Sequence, residues 1–213
     1  MIGRIAFVLG VCASLAARDL AAQVTRALAV GIGGVATRYV GTDAGVQEAL
    51  SGVALAGGGA LAIGPASLEG WYLEGRLLPD SGAPPARDLV EGAILLAVRP
   101  VRWVAVKGGA HLRAYVLPAG TERWVFGEVR VRADGALVGP TVRAYVEVWR
   151  ALTTDANVGT GSPAAQGGEV GLAVRLPRTP FWGRLTYAID QATIGSRTET
   201  LEAVGIAVGY GGR

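Results

Sequence analysis

Ten stretches of the chain after residue 23 alternate apolar with polar or small side chains. The clearest runs from Leu89 to Arg99. Val90, Gly92, Ile94, Leu96 and Val98 fall in one phase; Glu91, Ala93, Leu95, Ala97 and Arg99 fall in the other. Successive side chains of a strand point to opposite faces, so one face of this segment is apolar along its whole length. Residues 102–116 repeat the pattern, with Val104, Val106, Ala110, Leu112 and Val116 set against Lys107, His111 and Arg113. Val125, Val129 and Val131 oppose Glu128, Arg130 and Arg132; Val142, Val146 and Val148 oppose Arg143, Tyr145, Glu147 and Trp149. Leu185 and Ile189 oppose Arg184 and Asp190, and Val170 to Leu176 alternate with Glu169 and Arg175. The weaker segment 71–77 reads with Trp71, Leu73 and Leu77 on the apolar side and Glu74 and Arg76 on the polar side. Residues 24–40, 46–63 and 199–210 complete the set.

Composition changes the meaning of that alternation. Hydrophobic residues make up 51% of the 213 and charged residues only 17%, with a mean hydropathy of +0.38. A soluble domain is about 25% charged. Yet no apolar run after residue 23 approaches the roughly 20 residues a spanning helix needs. High apolar content without long apolar runs is what lipid-facing strands produce. The joins support this. Compact turn signals at Gly64-Pro65, Arg99-Pro100, Ala133-Asp134-Gly135 and Pro177–Pro180 alternate with joins at 41–45, 79–88, 118–121, 151–168 and 194–197. Ten strands satisfy this without remainder; eight or twelve require merging or splitting segments. The predicted fold is all-β, a closed antiparallel up-and-down transmembrane barrel of about ten strands.

The first 22 residues are a separate object. Arg4 precedes an apolar run from Ile5 to Ala17, and Ala21-Ala22-Gln23 follows. This reads as a secretory signal peptide over 1–22, cut after Ala22 with Ala16 or Ala17 as alternative cut sites, followed by a barrel domain over 23–213. The single cysteine, Cys12, lies inside the leader, so the processed chain has no thiol chemistry.

Over residues 23–213 the chain resembles the small bacterial outer-membrane β-barrel proteins, the porin-like and opacity-type barrels. The resemblance rests on the leader, the alternating strands and the terminal segment Val204–Tyr210. It implies residence in the outer membrane, both mature termini in the periplasm, contact with outer-membrane lipid, and help from a barrel-assembly machinery. In that group the last strand commonly ends on an aromatic; here Tyr210 is followed by Gly211-Gly212-Arg213.

In this reading Val90, Ile94, Leu96, Val98, Val104, Val106, Val129, Val146 and Leu185 face lipid. The lumen receives Glu74, Arg76, Glu91, Arg99, Lys107, His111, Arg113, Glu128, Arg130, Arg143, Glu147, Arg175, Arg184 and Asp190, which line a narrow pore for small solutes or form a salt-bridged plug. Trp71, Phe181 and Tyr210 are expected in an interfacial belt, and Trp103, Trp124, Phe126 and Trp149 as lumen fillers opposite the small positions Gly52, Ala54, Ala56, Gly58 and Ala60. The one histidine has no serine within two positions, so no catalytic residue is assigned and no enzymatic activity is expected. One histidine and no mature cysteine make no metal site, and no cofactor motif is present: Gly57-Gly58-Gly59 lacks the Lys-Ser/Thr of a phosphate loop. Dispersed basic residues exclude a nucleic-acid surface. The leading expectation is a structural or narrow pore-forming barrel. The alternatives are a lipid-modifying or proteolytic hydrolase of the outer membrane and a secreted soluble barrel binding an apolar ligand.

Overall fold

The computed structural model describes residues 26–81 and 84–211, so the expected leader, its cut site and Cys12 lie outside the described residues. The strands are β1 (Arg26–Asp43), β2 (Val46–Ile63), β3 (Ala66–Pro79), β4 (Arg87–Val101), β5 (Val104–Leu117), β6 (Gly120–Val138), β7 (Val142–Ala156), β8 (Ala164–Arg175), β9 (Phe181–Ile194) and β10 (Arg197–Gly211). Each pairs antiparallel with its sequence neighbours, and β1 pairs with β10 to close the barrel. A rung followed from Tyr39 into β10 and on around the wall returns to β1 at Ala27, twelve residues away. For ten strands that stagger corresponds to a tilt of about 40°, within the range of closed barrels.

Closure makes the strand pattern decisive. The pairing runs from strand to strand around the whole ring, so the sheet closes without a free edge strand. One side-chain phase then faces out and the other in. The outer phase is apolar and exposed: Ile94, Leu96, Val148, Ile206 and Val208 stand open on the wall, Ile206 at 67%. All nine residues expected to face lipid lie on this outer phase, from Val90 on β4 to Leu185 on β9. The arrangement is the reverse of what a water-soluble barrel requires, and it matches the apolar band, about 25 Å tall, of a transmembrane one. Phe181 and Tyr210 meet edge to face at 5.6 Å on the outer wall near the chain termini, a place suited to an interfacial girdle.

The turns are tighter than the sequence suggested. The joins expected at 41–45, 118–121 and 194–197 shrink to two residues each, because the flanking strands run further. Ala44 and Gly45 both adopt positive φ (47° and 85°), and Gly64 before Pro65 has φ 60°. These are the mirror-image turns whose twist suits a hairpin. Only 80–86 and 157–163 are longer joins at the end opposite the termini. Two compact turns also move. The chain reverses at Arg102-Trp103, not Arg99-Pro100, and at 139–141, while Asp134 stays inside β6.

β3 reverses the expected phase. Leu73 and Leu77 are buried in the lumen and Trp71 points inward beside them, whereas Tyr72, Glu74 and Arg76 lie on the outer wall. The reason lies on the neighbouring strand. The inward positions of β2 are Gly52, Ala54, Ala56, Gly58 and Ala60, and bulk must come from β3 to fill the space. A Cβ at Gly58 would sit 3.1 Å from the Cβ of Trp71. Outside, Arg76 reaches Asp88 at 3.9 Å, and Tyr72 Oη donates to Glu74 at 2.8 Å. Trp103 also departs from expectation: it occupies the β4–β5 turn, 61% exposed. Trp124, Phe126 and Trp149 do fill the lumen.

Three substitutions test this phase. Ile206→Arg should destabilise the folded barrel by about 2–4 kcal/mol, the cost of a cation near the bilayer midplane. Leu73→Ala should cost about 2–5 kcal/mol by opening a cavity, while Glu74→Leu should be neutral or stabilising. Urea unfolding in detergent reads all three, and equal penalties for Leu73→Ala and Glu74→Leu would place β3 the other way round.

Candidate functional site in the barrel lumen

The lumen holds two kinds of layer. Toward the end opposite the termini it is apolar and aromatic: Tyr39, Leu50, Leu77, Leu89, Tyr115 and Trp124 are all essentially inaccessible. Val158, from the β7–β8 join, packs into the same cluster. Tyr39 and Tyr115 meet edge to face at 5.1 Å, and Arg87 lies over the Tyr39 ring at 5.1 Å. Arg87 and Arg197 anchor the rim. Arg87 pairs with Glu48 at 2.5 Å, and Arg197 pairs with Glu122 at 2.5 Å and Glu199 at 2.7 Å.

Below lies a continuous chain of charged side chains. His111 on β5 is 1% exposed; its Nε2 is 2.9 Å from Glu91 on β4 and its Nδ1 3.2 Å from Glu128 on β6. Two ring nitrogens facing two carboxylates is the geometry in which an imidazolium donates both N–H groups. Arg113 Nε donates to Glu91 at 2.7 Å, and its Nη2 crosses the lumen to Asp190 on β9 at 2.7 Å. Trp149 Nε1 donates to the other Asp190 oxygen at 2.7 Å. On the far side Arg130 holds Glu128 at 2.6 Å and Glu147 at 3.2 Å, and Lys107 holds Glu147 at 2.9 Å and Glu69 at 2.8 Å. Aromatic rings seal the centre: Trp71, Phe126 and Trp149 lie 5.4, 5.0 and 5.7 Å from the His111 ring.

Of the residues expected in the lumen, Glu91, Lys107, His111, Arg113, Glu128, Arg130, Glu147 and Asp190 therefore form one network. Arg99 and Arg143 converge instead on Asp134 near the terminus-bearing mouth, Arg99 at 3.1 Å. Arg175 and Arg184 lie on the same inward phase toward that mouth. There Arg132 stacks 3.6 Å over the ring of Tyr145, whose hydroxyl donates to Glu169. Glu74 and Arg76 are on the outside. Sequence reasoning missed Glu69 and the rim group Glu48, Arg87, Glu122, Arg197 and Glu199: Arg87 and Arg197 fell in stretches read as joins, and the glutamates lie at strand ends next to turns. Their signal was present: Arg87-Leu89-Glu91 and Arg197-Glu199-Leu201 simply continue the inward phase of their strands.

What can this arrangement do chemically? Buried ions persist only when paired and hydrogen-bonded, and here each carboxylate of the central chain meets a cation or the imidazole. His111 and its two glutamates are walled off from solvent, and among the described residues no hydroxyl or thiol is bonded to the ring. Among the described residues no group of three or more histidine, cysteine or acidic side chains is arranged so as to hold a metal ion.

No family model matches the sequence, and no curated protein does. Solved structures do. The outer membrane protease OmpT of Escherichia coli superposes with a TM-score of 0.54 at 7% identity, covering 90% of this chain and 99% of that one. The translocator domain of the autotransporter NalP of Neisseria meningitidis gives 0.49 at 17% identity, covering 98% and 96%. Ail, the attachment invasion locus protein of Yersinia pestis, gives 0.37 at 11%, covering 89% and 100%. At these identities the likeness concerns fold.

Removing one member of the network should be costly in a graded way. Arg113→Met strands Glu91 and Asp190 without their shared cation and should destabilise the barrel by about 3–5 kcal/mol. Adding Asp190→Asn to it should recover part of that loss, a coupling readable by a double-mutant cycle in urea. Strict additivity of the two substitutions would show that the crossing is energetically idle. With its physical chemistry and its likeness taken together, the chain has the fold of the small β-barrels of the bacterial outer membrane.

Proposed function

We propose that the protein is a closed, structural barrel of the bacterial outer membrane. It is exported by its leader, inserted with the help of the barrel-assembly machinery, and seated with both termini in the periplasm. It has no enzymatic activity and passes no steady current of ions or small solutes. One observation carries this reading: the lumen is crossed by stacked layers, with the Tyr39–Tyr115–Trp124 core above the network that runs from Glu69 to Asp190. Small barrels are filled by their own side chains, and a filled lumen supports a plug better than a pore. The burial of His111 speaks against the hydrolase alternative, since a catalytic base needs to reach its substrate.

Planar-bilayer recording tests the proposal. The refolded protein should show no stepwise ohmic conductance, whereas a variant with Trp71→Ala, Phe126→Ala and Trp149→Ala should admit ions through the emptied aromatic layer. Steady unitary current from the unmodified barrel would overturn the closed reading. Turnover of a lipid or peptide that His111→Ala abolishes would overturn the non-enzymatic one.

A further inference from the structure

Among the residues whose side chains are described, four arginines project from strand positions on the outer wall: Arg38, Arg76, Arg123 and Arg150. Three have a carboxylate close by. Arg38 lies 3.9 Å from Asp80, Arg76 3.9 Å from Asp88, and Arg123 4.0 Å from Asp155. Arg150 has no ion-pair or hydrogen-bond partner among the described residues. It also borders the apolar belt directly, since its rung neighbour on β6 is Val129 and the next outward residue on its own strand is Val148. A lone cation at that depth is costly unless an anion meets it.

Beside Arg150 lies a groove of about 600 Å³ in the outer wall between β7 and β9. Its floor is bare backbone at Gly168, which stands on the outward phase of β8 beside Val148 and carries no side chain to fill the space. Gly167 cannot be replaced cheaply, because a Cβ there would fall on Asp190 Oδ1 and Trp149 Nε1, the pair that anchors the lumen network. The lower walls are apolar, formed by Val131, Val148 and Ile189. The upper edge is polar, because the rung from Arg150 continues through Gln166 to Gln191. The β7–β8 ladder ends at that same rung, and beyond it β7 bonds to β6 alone.

We propose that this groove binds one phosphate-bearing lipid. The phosphate sits on Arg150, flanked by the amides of Gln166 and Gln191, and the acyl chains run down over Val148, Val131 and Ile189. A guanidinium presents a planar fork that matches a phosphate bidentately. The polar-over-apolar order of the groove matches a lipid's own. The wall that carries the groove is the wall that lipid covers, so the occupant is already the molecule's neighbour.

Native mass spectrometry of the refolded protein in neutral detergent, titrated with phosphatidylglycerol, tests the site. One lipid should be retained per barrel. Arg150→Gln should weaken retention at least tenfold, as should Ile189→Trp, which fills the groove and leaves the arginine in place. Arg123→Gln, which removes a paired arginine, should leave it unchanged, and diacylglycerol should not be held. A heat-dependent gel shift establishes separately that each variant forms a barrel. Undiminished retention in Arg150→Gln, equal loss in Arg123→Gln, equal holding of diacylglycerol, or inorganic phosphate binding as tightly as the lipid would each refute the site. The first three would mean unspecific coating, and the last an anion site without a lipid.

Discussion

The closed backbone ladder is the constraint from which the rest follows. A wall one strand thick leaves no backbone donor or acceptor for lipid to strand, and it divides every strand's side chains between two solvents. With ten strands and a stagger of twelve residues, the interior is somewhat wider than one that ordinary side chains fill. This chain fills it unevenly. β2 offers only glycine and alanine from Gly52 to Ala60, while β6 and β7 deliver Trp124, Phe126, Trp149 and long charged residues across the gap. Large against small across the lumen is how a narrow barrel reaches interior packing density.

Filling the centre with ions sets a further demand. Each buried charge has to be met, and a single unmet one costs several kcal/mol. The network therefore cannot stay local. Glu69 on β3, Lys107 on β5, Glu147 on β7, Arg130 and Glu128 on β6, His111 and Glu91, then Arg113 and Asp190 on β9 form one chain across the lumen. Such a chain couples strands that are far apart around the wall, β5 to β9 most directly, and so adds cross-barrel register to the neighbour-to-neighbour ladder. The Asp190–Trp149 bond also requires glycine at 167, because a Cβ there would strike both groups inside the lumen.

β4 and β5 were legible because their two faces differ in chemistry. Charges at Glu91, Lys107, His111 and Arg113 marked one phase as enclosed, and valine, isoleucine and leucine marked the other as exposed to lipid. β3 was not legible, because its lumen side is itself apolar. Trp71, Leu73 and Leu77 are as greasy as any lipid-facing row, and Glu74 and Arg76 find partners on the outside in Tyr72 and Asp88. Alternation identifies two faces without naming them. The rim cluster around Arg87 and Arg197 escaped for a different reason: strand ends that pass beyond the membrane lose their apolar partner phase and look like loop.

From the sequence by itself came the strand number, the antiparallel closure, the apolar outer belt and the ionic character of the interior. All of these depend on side-chain period and composition, which are local. Tertiary structure alone decided which way β3 faces, that Asp134 belongs to β6, that the charges join into one network, and that Arg150 has no carboxylate partner among the described residues. Those outcomes depend on distances between strands remote in sequence. Barrel stagger sets these distances, and no periodicity within a single strand encodes them.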